Sequence, residues 1–329
     1  MSPLATPAGL PHLLRTMIQN ACPDFHTTAD VAIPELAHGM GCRCLLHARR
    51  RLGGALIGGG ALAALGAAGP VAAQAADWAE CKRSSFTKVV SAEQIEQAAG
   101  QQYRQMLQEA SGQKALAPTS NAQLQRLRYI AQRIIPFTVG CNPRSQQWQW
   151  AVNLIGSQEL NAFCMPGGKI AFYYGILAKL KLDDDEVAMI MGHEVAHALL
   201  EHARERMGKT MATRGAIELG AALFGLGGVG QAAASMGGQL LTLRFSRDDE
   251  SEADALGLVL AAKAGYKPAA GVSLWQKMMG ANKGAPPQWL STHPSGDSRI
   301  RDMQARLPGL DPLYNAAAKP DRRFAPPVA

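Results

Sequence analysis

Residues 193–197 read His-Glu-Val-Ala-His inside a stretch patterned as a helix. A helix turns about 100° per residue, so side chains four apart share one face. His193 and His197 can therefore hold one metal ion between them. Glu194 can then act as general base toward an attacking water without being a ligand itself. The helix has its own start signal. Asp183 and Glu186 form a capping-box pattern, and Asp184 and Asp185 add negative charge where the helix dipole is positive. Gly192 is the weak spot of this helix, and Gly208 is its expected stop.

A zinc ion held by two His needs a third protein ligand and an open position. Residues 246–257 offer several carboxylates, beginning Ser-Arg-Asp-Asp-Glu-Ser-Glu-Ala-Asp. On a helix, Glu250 and Asp254 are one turn apart and share a face. Glu252 lies roughly 200° round from Glu250 and faces elsewhere. One face thus offers a ligand and a second carboxylate to orient a ligating His. Taken alone, the same run reads as a charged, solvated helix start. A third pattern, Thr292-His293-Pro294, is by itself only a turn. Beside a metal, His293 could supply a donor to the oxyanion of a tetrahedral intermediate.

These patterns occur in order with others: Leu160-Asn161-Ala162-Phe163, Met165-Pro166-Gly167-Gly168-Lys169-Ile170, Tyr174-Gly175-Ile176-Leu177, and Arg299 after His293-Pro294. Together they resemble the gluzincin metallopeptidases that include HtpX, BepA and the type-1 CAAX prenyl proteases, over residues 91–307. The resemblance implies one zinc ion per chain, with His193, His197 and Glu250 as ligands and Glu194 as general base. It implies Asp254 behind a ligating His, with Arg299 beside it, and His293 facing the zinc. It also implies that the strand at Asn161, Ala162 and Phe163 offers its edge to an extended substrate. The metzincin pattern fails, because Leu200 and Ala203 stand where it needs Gly and a third His. His202 is expected on the surface, off the ligand face. For His293 the transition-state donor is the expected role, and occupation of the open metal position is the alternative.

Net charge is +7, but part of it comes from Arg49, Arg50, Arg51, Arg322 and Arg323. No Lys/Arg stripe with interleaved aromatics is present in the sequence, which argues against nucleic acid as a partner. Arg49-Arg50-Arg51 precedes an apolar run rich in Ala, Leu and Gly, and Ala73-Gln74-Ala75 gives a small-x-small cleavage site. Residues 40–75 therefore read as a signal peptide cleaved after Ala75, with a membrane anchor as the alternative. Residues 1–39 read as a non-native or disordered extension, since Met40 would be a more natural start. Residues 76–90 read as a linker, 91–309 as the metallopeptidase domain, and 310–329 as a Pro/Ala-rich disordered tail.

After cleavage at Ala75, which removes Cys22, Cys42 and Cys44, Cys81, Cys141 and Cys164 remain. In an oxidising compartment they give one disulfide and one thiol. Cys164 falls in a strand beside the site and is expected to be buried, which leaves Cys81 with Cys141. Residues 91–109 and 120–135 read as helices, each opened by Ser-x-x-Gln. Trp148, Trp150, Val152 and Leu154 alternate with Gln147, Gln149, Ala151 and Asn153, as a strand does. Residues 159–174 read as a strand pair turning at Pro166-Gly167-Gly168. Residues 216–243 are apolar but carry Glu218, Gln231, Gln239 and many Gly, so a buried helical hairpin is expected rather than a membrane span.

The expected architecture is an α+β zincin, mostly helical, with a small sheet beside the active-site helix. The expected reaction is zinc-dependent hydrolysis of peptide bonds. The resemblance implies misfolded or unassembled envelope polypeptides as partners, a periplasmic setting, and a compatible association with the outer membrane. Two rivals stay open: a latent, client-binding protein without proteolysis, and a membrane-embedded protease that uses residues 216–243.

Overall fold

The computed structural model describes residues 81–223, 240, 243–281, 288–294 and 296–327, all within the unit Ala68–Ala329. The expected extension (1–39), the signal peptide (40–75), the linker up to residue 80 and most of the apolar segment 224–242 lie outside the described residues. Among the described residues, no helix is long and apolar enough to cross a membrane.

A short 3-10 turn, Ser85–Val89, leads into α1, Ala92–Gly112, capped by the Ser91 side chain on the Gln94 N–H. Helix α2, Ala122–Ile134, follows. Its cap is Asn121 rather than the expected Ser120, because Asn121 Oδ1 reaches the N–H groups of both Gln123 and Leu124. The sheet then forms from β1, Ala151–Ile155, β2, Ala162–Met165, and β3, Lys169–Tyr173. Trp148 and Trp150 sit just ahead of β1 rather than in it, packed on one another with ring planes inclined at 56°, beside Glu96. β2 and β3 are the expected hairpin, antiparallel with Ala162 opposite Phe172, and they turn at Gly167 and Gly168 with φ of 80° and 74°.

Strand order is β1-β3-β2, with β1 parallel to β3. The outer side of β1 is met by residues 115–117, through Ala117 N–H to Leu154 O and Gly156 N–H to Ala115 O. Among the described residues, β2 is the edge strand, beside the site.

After α3, Tyr174–Lys179, comes α4, Asp184–Leu199, which carries both His of the motif. Its capping box is formed as the sequence predicts: Asp183 accepts from Glu186 N–H, and Glu186 accepts from Asp183 N–H. The helix is buried from end to end. It stops at Leu199, not at Gly208, because the chain reverses through Glu201 at φ +60°. A second helix, α5, His202–Leu223, starts there and runs straight through Gly208. Gly208 serves packing instead: a Cβ there would stand 2.0 Å from Phe86 O.

Helix α6, Arg247–Lys263, crosses α4 in direct contact. A Cβ on Gly192 would meet Gly257 O at 2.7 Å, and one on Gly257 would meet His193 N at 2.7 Å. The apparent weak spot at Gly192 is therefore the crossing point that brings Glu250 and Asp254 over the His pair. Helices α7, Ala270–Gly280, and α8, Gln288–Thr292, close the site from above.

The last helix, α9, runs Asp297–Ala316 and corrects the expectation of a disordered tail from residue 310. Pro308 and Pro312 lie inside it. Leu310 is buried and Leu313, partly buried, packs on the same core, so the helix is held on both sides of Pro312 by tertiary contacts. The chain beyond it also docks: Phe324 N–H donates to Asp184 Oδ2 at 2.8 Å, and Arg323 pairs with Asp185 at 2.9 Å. The tail thus straps the start of α4.

Cys81 and Cys141 form a disulfide, and Cys164 is a buried thiol, as expected. Beside the bridge, Asn142 Nδ2 donates to Leu199 O at 3.0 Å, which secures the C-terminal end of α4.

Candidate active site

His193 and His197 project from α4 with ring centroids 4.7 Å apart, both almost fully buried. Glu250 on α6 faces them and is fully buried. Its phase is set by a second capping box, Ser246 with Asp249, which starts α6 four residues earlier. His293 enters from the end of α8, its N–H bonded to Trp289 O. One ligand atom from each of these four residues lies within 4.8 Å of the others.

The spacings test whether a metal fits. Four ligands at about 2.0–2.1 Å from a tetrahedral ion sit about 3.3 Å from one another. Here His193 Nε2 is 3.1 Å from His197 Nε2 and 3.3 Å from His293 Nδ1. His197 Nε2 is 3.4 Å from Glu250 Oε1, and His293 Nδ1 is 3.0 Å from that same oxygen. Imidazole and carboxylate donors at these distances are compatible with a metal ion. Burial pushes His197 well below its ordinary pKa, so its imidazole is neutral and keeps a lone pair. Burial would raise Glu250, but the charge of His293 and hydrogen bonds from His197 and His293 outweigh it and hold the carboxylate far below its usual range. At neutral pH the cluster therefore offers an anionic oxygen beside a neutral imidazole.

Asp254 and Arg299 stand behind the ligands. His193 Nδ1 is 2.9 Å from Asp254 Oδ1, though out of line for a well-formed hydrogen bond. Arg299 grips Asp254 through Nε and Nη2, at 2.6 and 2.7 Å, and pairs with Glu250 Oε2 at 2.6 Å. Its guanidinium lies over the Trp275 ring at 4.0 Å. Asp254 and Glu250 are thus fixed by one cation, in agreement with their shared helical face.

Glu194 is buried and stays off the ligand set, with Oε1 3.5 Å from His293 Nε2. Trp289 Nε1 donates to that oxygen at 2.7 Å. Asn161, Ala162 and Phe163 line the cleft that Glu194, His197 and His293 also line. All the residues singled out in the sequence therefore converge on one site.

Three further side chains were not legible in the sequence. Trp289 holds Glu194, stacks on His293 with centroids 4.9 Å apart, and donates its backbone N–H to Leu160 O, two residues ahead of β2. Phe245 stacks on His197 at 4.1 Å. His202 is the outright correction: expected on the surface, it is buried, with Nδ1 2.8 Å from His197 Nδ1. The break at Glu201 rotates it off the line of α4 and folds it back under His197, which a continuous helix would not do. The stack of Trp289 on His293 spans only four residues, but its bond to Glu194 and the stack of Phe245 on His197 join residues about 95 and 50 apart, and no local signal marks these.

Trp289→Phe keeps the ring stack but removes the donor to Glu194. A net hydrogen bond to a charged group contributes about 1.5–3 kcal/mol. The expected result is a roughly ten- to hundredfold loss of turnover at unchanged metal content, measured on one unfolded substrate.

The family model for peptidase family M48 matches residues 121–307. The chain is 36% identical over 162 residues to mitochondrial metalloendopeptidase OMA1 of Schizosaccharomyces pombe, covering 49% of this chain and 47% of that protein. It is 27% identical over 206 residues to metalloprotease LoiP of Escherichia coli, covering 62% and 78%. It is 26% identical over 194 residues to the beta-barrel assembly-enhancing protease of Yersinia pestis, covering 56% and 40%. The chain spans half or less of the length of the OMA1 relatives it matches. With a match that covers more than half of the sequence and contains every residue of the buried cluster, the chain belongs to peptidase family M48.

Proposed function

We propose that the protein is a zinc metalloendopeptidase that hydrolyses peptide bonds in misfolded or unassembled envelope proteins. The observation that carries this reading is the closed set of His193, His197, Glu250 and His293 donor atoms, with Glu194 held apart from it by Trp289. A bound zinc ion would supply Lewis-acid polarisation of the scissile carbonyl and of the attacking water. Glu194 takes the proton from that water and passes it to the leaving amine. Asp254 and Arg299 keep His193 and Glu250 in place. Asn161 precedes and Ala162 and Phe163 begin edge strand β2, whose outer side would pair with an extended substrate backbone and read side chains only weakly. That mode of recognition suits unfolded chains. Export to the periplasm rests on the basic, apolar and small-x-small order of residues 49–75. The name of the Yersinia relative supports a role near beta-barrel assembly.

The test is proteolysis of an unfolded protein by the zinc-loaded chain, with and without chelator. Cleavage that the chelator abolishes is expected. Binding of the client without cleavage would replace this reading by the latent, client-holding one.

His293 was expected to donate to the oxyanion. Its Nδ1 stands among the ligand atoms, which favours the alternative: it holds the fourth position and keeps the site latent until a substrate displaces it. His293→Ala should then raise basal turnover. A loss on the order of a hundredfold would restore the donor role, and an unchanged rate would reduce His293 to packing.

A further inference from the structure

The two His on α4 are oriented by different means. His193 faces Asp254, itself gripped by Arg299. His197 faces another imidazole on its Nδ1 side. His197 Nδ1 and His202 Nδ1 are 2.8 Å apart, with the rings inclined at 72°. On the far side of the His202 ring, Nε2 is 3.3 Å from Glu252 Oε2, on a side chain that is 53% exposed.

Protons can be placed on this row in only one neutral arrangement that serves ligation. If His197 gives its Nε2 lone pair to a metal, its proton is on Nδ1. That N–H points at His202 Nδ1, which must then be an acceptor and carry no proton. The His202 proton is therefore on Nε2, where it donates to Glu252. Each hydrogen bond fixes the tautomer of the next ring, and the carboxylate at the end of the row fixes them all.

We propose that His202 is a positioning residue for the metal centre, and that Glu252 sets its tautomer. The row Glu252–His202–His197 does for His197 what Asp254 does for His193. Groups behind a metal ligand fix its orientation and raise its basicity, and their loss typically lowers metal affinity ten- to hundredfold. Phe245 supports the same ring by stacking on it, so His197 is held in its plane by Phe245 and at its edge by His202. Glu252 points away from the ligands, as its helical phase requires, yet reaches the centre through one ring. The proposal rests on His197 being a metal ligand, and the experiment separates the two.

Zn2+ affinity is measured by competition with a chromophoric chelator, and the centre is observed by the visible absorption of the Co2+-loaded protein. His202→Leu removes the acceptor. His202→Asn places its Oδ1 where the imidazole Nδ1 stood, while His202→Gln places its polar end near Nε2, out of reach of His197. The expected result is a ten- to hundredfold loss of Zn2+ affinity in the Leu and Gln variants, with a shifted Co2+ spectrum. The Asn variant should recover most of the affinity and a wild-type spectrum. Glu252→Ala, a change at a half-exposed site, should weaken Zn2+ binding only a few-fold. Should the Leu variant not fold, the Asn and Gln variants decide between them. Equal affinity in all variants, or equal loss in Asn and Gln, overturns the proposal. A wild-type affinity in His197→Ala would instead overturn the assignment of His197 as a ligand.

Discussion

Glu194→Gln is expected to keep the fold and the metal and to lose turnover by about a hundredfold or more, the usual contribution of a general base. The side chain is buried and has almost the volume of Gln, so packing is conserved. An amide oxygen still accepts the bond that Trp289 Nε1 makes at 2.7 Å. What the amide lacks is basicity at neutral pH, together with the negative charge that faces His293. The check is turnover on an unfolded substrate together with metal analysis of the same preparation. Near-native turnover in a metal-replete variant would remove Glu194 from the reaction.

Glu250→Ala is expected to weaken metal binding by more than about a hundredfold, beyond the effect typical of groups behind the ligands. Glu250 is fully buried and touches His197, His293 and Arg299 at once. Its loss takes away an anionic donor and half of the compensation for the buried Arg299 charge, so the melting temperature of the metal-free protein should fall as well. Glu252→Ala, two residues on, should retain one metal per chain when Zn2+ is in excess, with affinity lowered only through His202. Metal titration of the two variants tests the pair. The reverse order would show that the phase of α6 is misassigned.

Phase is the reason these predictions can name one residue and pass over its neighbour. The capping boxes at Asp183–Glu186 and Ser246–Asp249 are written in four consecutive residues each, and both form. Once a helix start is fixed, its period dictates which side chains share a face. His193 with His197 and Glu250 with Asp254 follow from that arithmetic. The β2–β3 hairpin is equally local, because two glycines in the left-handed region turn the chain within a few residues. The disulfide was legible for a different reason: few cysteines remained, and one of them belonged in a buried strand.

The sequence by itself determined the elements and the chemistry each carries, because capping, period and turn geometry act over a few residues. The tertiary structure decided how these elements meet. Gly192 reads as a defect in a helix and becomes the contact through which α4 and α6 cross, a role visible only once Gly257 stands opposite. Prolines at 308 and 312 argue locally for an end of helix, yet α9 continues past both, with Leu310 buried and Leu313 packed on the core. His202 reads as a surface residue on a continuing helix, and a single left-handed residue at Glu201 places it under His197 instead. Phe245 meets His197 and Trp289 meets Glu194 only across distant stretches of chain, although Trp289 also stacks on the nearby His293. Local patterns fix backbone conformation because their energies are paid within one turn, whereas burial and buried hydrogen bonds depend on distant chain that only the folded structure brings near.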